Sequence, residues 1–190
     1  MNALIKMSLY LVDTIGFIFL LLVILRFLLQ LSRADFYNPV SQTIVKMTNP
    51  LLIPLRKVIP GLMGIDLASI VLAFIVKVAT IEILFLLDQG NILMPLGVGL
   101  EALRYILITS CYIAYGCIFV VMISSFVAPG SQHPIIMLCT QILAPLSRKI
   151  QTFVPQTGGF DFSLMFIAIG VSAFKIFLDE LHITLTPMGF

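Results

Sequence analysis

Apolar residues in this chain gather in long blocks. Four of them reach the roughly 20 residues that a helix needs to cross a hydrocarbon core: about residues 8–31, 67–87, 104–127 and 162–184. The first follows Lys6 and so invites comparison with a signal sequence. It exceeds the roughly 7–15 apolar residues of such a segment and no A-x-A site follows, so it reads as a retained helix. Between the second and third blocks lies Asp88-Gln89-Gly90-Asn91, with Pro95, Gly97 and Gly99 just beyond. These residues mark a chain reversal, and the two blocks form a hairpin.

The other two connections, residues 33–66 and 128–161, are each 34 residues long, rich in proline and still apolar. Asn38 is a good helix cap and Pro39 suits the first helical position. Val40, Ile44, Met47 and Leu51 then recur at helical spacing with Ser41, Gln42 and Lys46 between them. The pattern predicts an amphipathic helix lying in a membrane interface, interrupted at Pro50 and Pro54 because proline lacks the N–H that a helix interior uses. A shift of 95 residues superimposes the two connections without a gap: Pro39 on Pro134, Pro50 on Pro145, Pro60 on Pro155, Gly64 on Gly159 and Asp66 on Asp161. The blocks on either side align as well. The expectation is an all-α membrane protein whose four transmembrane helices form two tandem repeats, each helix–amphipathic segment–helix. The first repeat occupies 1–95 with its interfacial segment at about 38–60, and the second occupies 96–190 with its segment at about 133–155. Such repeats share one orientation and are parallel rather than inverted.

Composition agrees with the blocks. The chain is 60% hydrophobic and 11% charged, with a mean hydropathy of +1.13; a soluble domain carries about 25% charged residues. A net charge of +2 gives no reason to expect nucleic-acid binding. The three cysteines, Cys111, Cys117 and Cys139, contain no C-x-x-C and read as small buried hydrophobes without a metal or redox role. No phosphate loop, H-E-x-x-H or nucleophile elbow occurs, so no catalytic, cofactor or metal residues are expected. His133 reads as a loop residue or cap, and His182 lies at the opposite end of the bundle, so the two cannot share one haem. The pairs Ser110/Ala114 and Ala168/Ser172 permit close helix packing.

Asp35-Phe36-Tyr37-Asn38-Pro39, then Asn49 through Pro60, then Gly64-Ile65-Asp66 resemble the YggT family of bacterial membrane proteins. Pro134 through Pro145-Leu146 to Pro155 and Gly158-Gly159-Phe160-Asp161 resemble the same motif. The halves differ in one respect. Arg56-Lys57 forms a basic pair in the first, whereas Arg148-Lys149 sits three residues earlier in register, with Gln151 and Thr152 at the matching places. The resemblance implies a bacterial inner-membrane protein tied to osmotic or ion homeostasis and to envelope or division processes. Plastid relatives are linked to cytochrome assembly, haem attachment and nucleoid distribution. It implies no catalytic mechanism.

Lys and Arg divide seven to four in favour of the side holding the two long connections: Arg26, Arg33, Lys46, Arg56, Lys57, Arg148 and Lys149 against Lys6, Lys77, Arg104 and Lys175. The positive-inside rule then places residues 33–66 and 128–161 in the cytoplasm and both termini outside. Arg56, Lys57, Arg148 and Lys149 face anionic headgroups in this reading, and Asp66 and Asp161 cap the helices that follow them. Asp13, Lys77, Glu82, Lys175 and Asp179 fall within the apolar blocks, where an Asp or Lys costs about 2.5–3.5 kcal/mol. Lys175 and Asp179 share a helix face, Glu101 and Arg104 are three apart, and Lys77 is the candidate nearest in depth to Asp13. Two readings stand: a paired polar cluster that fixes helix register, or an ion, proton or partner-helix site. No block has a proline near its centre, whereas transporters often build sites from broken helices. The chain therefore reads as a non-catalytic scaffold or assembly factor. Its partners would be the lipid bilayer, other membrane proteins and other copies of itself. The alternative is a small channel or transporter component in osmotic balance.

Overall fold

A computed structural model describes residues 3–61, 64–90, 95–153 and 162–181. These residues form six helices: α1 (Ala3–Leu31), α2 (Pro39–Val58), α3 (Leu67–Gln89), α4 (Pro95–Val127), α5 (Pro134–Gln151) and α6 (Ser163–Glu180). Among the described residues there is no β-strand. Three helices are long and apolar enough to cross a membrane: α1, α3 and, from Gly97, α4. The described part of α6 is 18 residues long and carries Lys175, Asp179 and Glu180 near its end. Residues 182–184 of the expected fourth block lie outside the described residues, as do Asn91, His182, Pro155, Gly159 and Asp161.

Two expectations need correction. Helix α2 runs unbroken through Pro50 and Pro54, and α5 through Pro145. In α2 a side chain from α1 bonds the turn before the first proline, whereas α5 passes its proline with valine at the matching place. Arg26 of α1 donates to the Val45 carbonyl at 3.1 Å and to Asn49 Oδ1 at 2.8 Å, in the turn that precedes Pro50. The helix ends instead at Pro60, because a residue before proline is driven extended and Ile59 lies at φ −113°, ψ 100°. The second correction concerns the reversal after α3. It is shorter than expected, since Pro95 opens α4 and Gly97 and Gly99 belong to its first turns. Proline fits a first turn because its missing N–H has no intrahelical partner there. Gly90 closes α3 in the left-handed conformation, φ +70°, which glycine adopts without a Cβ clash.

Helices α1 and α3 pack antiparallel and closely. A Cβ at Gly16 would lie 2.5 Å from Thr80 Oγ1, so the approach requires glycine. Helix α3 leads to α4, and α6 packs on α4. Their shared core comprises Leu20, Val23 and Ile24 of α1, Leu72 and Ala73 of α3, Ile113, Cys117 and Ile118 of α4, and Leu164 and Ile167 of α6. Leu52 of α2 and Leu143 of α5 seat the two shorter helices against it. The bundle thus has a loop end, bearing the α1–α2, α2–α3 and α4–α5 connections, and a hairpin end at the α3–α4 reversal.

Candidate functional site

Polar side chains collect at the two ends of the bundle, with the apolar core between them. At the hairpin end, a cleft of about 680 Å³ opens among α1, α3 and α4, lined by Asp13, Lys77, Asp88, Glu101 and Tyr105 among apolar neighbours. Lys77 is buried. Its ammonium stands over the Tyr105 ring, 3.9 Å from the centroid. Asp13 and Lys77 line one cleft, but the structure records no ion pair between them. Desolvated cation–π contacts stabilise by about 2 kcal/mol, so Tyr105 offsets part of the burial cost of this amine.

A second group adjoins the cleft through α4. Arg104, nearly buried, clamps Glu101 through both carboxylate oxygens, at 2.5 and 2.9 Å. It also donates to the Leu178 carbonyl of α6 at 3.4 Å and approaches Asp179 at 4.0 Å. Lys175 pairs with Asp179 at 2.6 Å and lies 5.5 Å from the Tyr112 centroid. The five charges singled out in the sequence therefore divide. Asp13 and Lys77 belong to the α1–α3–α4 cleft, Lys175 and Asp179 belong to the α4–α6 seam, and Glu82 lies half-buried on α3. Glu101 and Arg104 join the two groups. Tyr105 carried no signal in the sequence, because a ring under an amine from another helix follows no local spacing.

At the loop end the first half of the chain is cross-braced. Buried Arg26 donates to Thr48 Oγ1 at 2.6 Å, in addition to Val45 and Asn49, tying α1 to α2. Arg56 pairs with Asp66 and donates to Gln30 Oε1 at 3.2 Å. Asp66 stands at the cap position of α3 without a side-chain capping bond; its carboxylate takes the Ser69 hydroxyl at 2.6 Å and the Arg56 guanidinium. Burial alone would raise its pKa. The bonds from Arg56 and Ser69 outweigh that and hold it below the ordinary carboxylate value. Lys57, Arg148 and Lys149 are exposed in the last turns of α2 and α5. Asn38 caps α2 by accepting from the Val40 N–H at 2.9 Å, and its amide donates to the Pro134 carbonyl at 2.9 Å, joining the two halves. His133 caps α5 in the same way through Nδ1, at 3.4 Å from the Ile135 nitrogen. Among the described residues no cluster of three or more His, Cys, Asp or Glu converges as a metal site.

The fold and its polar ends define a helical protein with three helices fit to cross a membrane. The CCB3/YggT family profile matches the chain twice in tandem, over residues 5–87 and 100–182. The chain belongs to the YggT family. It is 42% identical over 166 residues to an uncharacterised protein of Pseudomonas aeruginosa, covering 84% of this chain and 81% of that one. It is 33% identical over 160 residues to the uncharacterised YggT protein of Escherichia coli, covering 84% and 82%. A Haemophilus influenzae protein is 37% identical over 159 residues, covering 82% and 84%. No solved structure matches.

Proposed function

We propose that this chain is a non-catalytic scaffold or assembly factor of the bacterial inner membrane, acting in envelope, division or osmotic homeostasis. Helices α1, α3, α4 and α6 span the bilayer. Helices α2 and α5 lie as amphipathic elements in the cytoplasmic interface, with residues 33–66 and 128–161 on that side and both termini outside. One seam of α2, Ser41, Ile44, Thr48 and Leu52, is buried against the bundle, while Met47, Leu51, Ile53 and Val58 remain exposed and apolar. Those exposed positions are the surface offered to lipid, to other membrane proteins or to a second copy. Reporter fusions near Lys57 and Arg148 will read cytoplasmic; periplasmic signals there would overturn the orientation.

The observation that carries the scaffold reading is the apolar layer between the polar ends. Leu20, Val23, Ile24, Leu72, Ala73, Ile113 and Ile167 fill it. A charge crossing it would leave water for mainly aliphatic side chains, with the Tyr115–Ser172 hydroxyl pair of α4 and α6 beside it, and would bear most of the cost of desolvation. The competing reading, a channel or transporter component, draws on the cleft lined by Asp13, Lys77, Glu101 and Tyr105. Potassium and proton flux through reconstituted vesicles separates the two. The scaffold predicts flux no greater than in empty vesicles. Flux that is lost in folded Asp13→Asn and Lys77→Met variants would overturn it.

A further inference from the structure

At the loop end, a pocket of about 280 Å³ lies between the last turns of α1 and the first half of α2, lined by Arg26, Gln30, Arg33 and Arg56 with Phe36 and Val45 beside them. Three arginines line it, and among the described residues Asp66 is the one carboxylate that bonds to any of them. Asp66 is committed to Arg56 and Ser69. The Asp35 carboxylate accepts the Tyr37 N–H within its own loop. Arg26 is buried and hydrogen-bonded to neutral acceptors, with the Asp66 carboxylate near enough to act on its charge but not bonded to it. The Arg33 side chain has no recorded hydrogen bond or ion pair among the described residues. Of the three only Arg26 is buried; Arg33 and Arg56 reach solvent, so an anion entering the pocket would meet two accessible cations and offset part of the burial cost of the third.

Two further observations point the same way. Arg33 closes α1 at φ +52°, with its N–H bonded to the Gln30 carbonyl at 3.1 Å and the next N–H, of Ala34, to Leu29 at 2.9 Å. This double bond pattern is the helix stop usually filled by glycine. Here a long cation occupies a backbone conformation that disfavours side chains, as functional sites tend to do. The second observation comes from the repeat. At an offset of 95, Arg26, Arg33 and Arg56 fall on Val121, Ala128 and Gln151. The second half makes the same helix-to-helix joint without arginine at any of the three places, so the joint does not require them.

The ligand's shape follows from the adjoining groove. About 460 Å³ of open space continues along α2, sharing Phe36 and Val45 with the pocket and bounded further on by Lys46, Pro50 and Ile53. A basic pocket that opens into a partly apolar groove suits an amphiphile, with a phosphate at the arginines and glycerol and acyl carbons along Phe36 and Ile53. We propose that Arg26, Arg33 and Arg56 form a binding site for the phosphate of an anionic phospholipid, one site per chain and confined to the first half. Planar guanidinium forks suit phosphate oxygens. The proposal rests on the membrane reading above but needs no particular partner or orientation.

The test uses the full chain purified in detergent and titrated with short-chain phosphatidylglycerol, short-chain phosphatidylcholine and inorganic phosphate, with bound species counted by native mass spectrometry. The expected result is one phosphatidylglycerol per chain, with phosphatidylcholine and free phosphate each at least tenfold weaker. Arg33→Gly is expected to bind at least tenfold more weakly while melting no lower than wild type, because it removes the cation and relieves the backbone. Arg148→Ala with Lys149→Ala is expected to leave binding unchanged. Equal binding by Arg33→Gly, or equal binding of phosphatidylcholine, would overturn the site. Free phosphate matching the lipid would overturn the amphiphile and leave an anion pocket only. Failure of the membrane reading would look different: the chain would stay monodisperse without detergent.

Discussion

The α1–α2 joint and the α4–α5 joint solve one packing problem with different chemistry. In the first, Arg26 reaches from α1 to Thr48, Asn49 and the Val45 carbonyl of α2, and Arg56 ties the end of α2 to Asp66 at the start of α3. In the second, the residues matching Arg26, Thr48 and Asn49 are Val121, Leu143 and Ala144, with Leu143 deep in the core and Val121 packed against it. An apolar joint therefore suffices to seat the shorter helix on this bundle. The polar joint holds more charge than packing needs, and that surplus lines a pocket.

The largest effect that distinguishes the joints is expected from truncating Arg26. Arg26→Ala removes charge-assisted bonds to α2 and leaves the Asn49 acceptor without that partner, costing about 3 kcal/mol. Val121→Ala removes two partly buried carbons and costs about 1 kcal/mol. Chaotrope unfolding in micelles measures both, and equal losses would erase the contrast. Next in size is Gly16→Val, which pushes a side chain into Thr80 and costs about 2 kcal/mol by overpacking. The matching Cys111→Val in the second half adds one heavy atom where Gly16→Val adds three, and costs under about 1.5 kcal/mol.

Two smaller effects sharpen the same comparison. Arg33→Gly relieves a left-handed residue and raises stability by about 1 kcal/mol; a thermal shift in the same micelles reads it. The Asp66–Arg56 pair gives a pH dependence. The folded carboxylate titrates below its ordinary value, so the pair's stabilisation is complete above that ordinary value and is lost as pH falls through the folded pKa. Because Arg56 is partly exposed, the pair contributes under about 1 kcal/mol. Acid titration of melting temperature checks it, and Asp66→Asn is expected to flatten that part of the curve.

What the sequence made legible was local or periodic. Blocks of apolar residues located α1, α3 and α4 to within a few residues at most ends, although α4 starts nine residues before the expected Arg104 because Pro95 and the glycines beyond it looked like a turn. Four-residue spacing exposed the Lys175–Asp179 pair, and three-residue spacing exposed Glu101–Arg104. Asn38-Pro39 announced the start of α2 through a side-chain cap that needs only its own backbone. The hidden features all depend on partners brought together by folding. The bonds that tie α2 to α1 came from Arg26, which lies 19 to 23 residues from its acceptors. Lys77 found a ring on another helix rather than the acid at similar depth. Asp66 found Arg56 across a turn, where the sequence suggested a cap.

The claim that the first half's polar set serves a ligand rather than the fold can be tested by grafting the second half's residues. Arg26→Val, Thr48→Leu and Asn49→Ala are introduced together, and stability and phosphatidylglycerol binding are measured on the same sample. Replacing a buried polar network by apolar residues is often close to neutral, unlike removing one member. The account predicts stability within about 1 kcal/mol of wild type together with loss of the bound phospholipid. A triple variant that unfolds as readily as Arg26→Ala alone, or one that keeps its lipid, would contradict it.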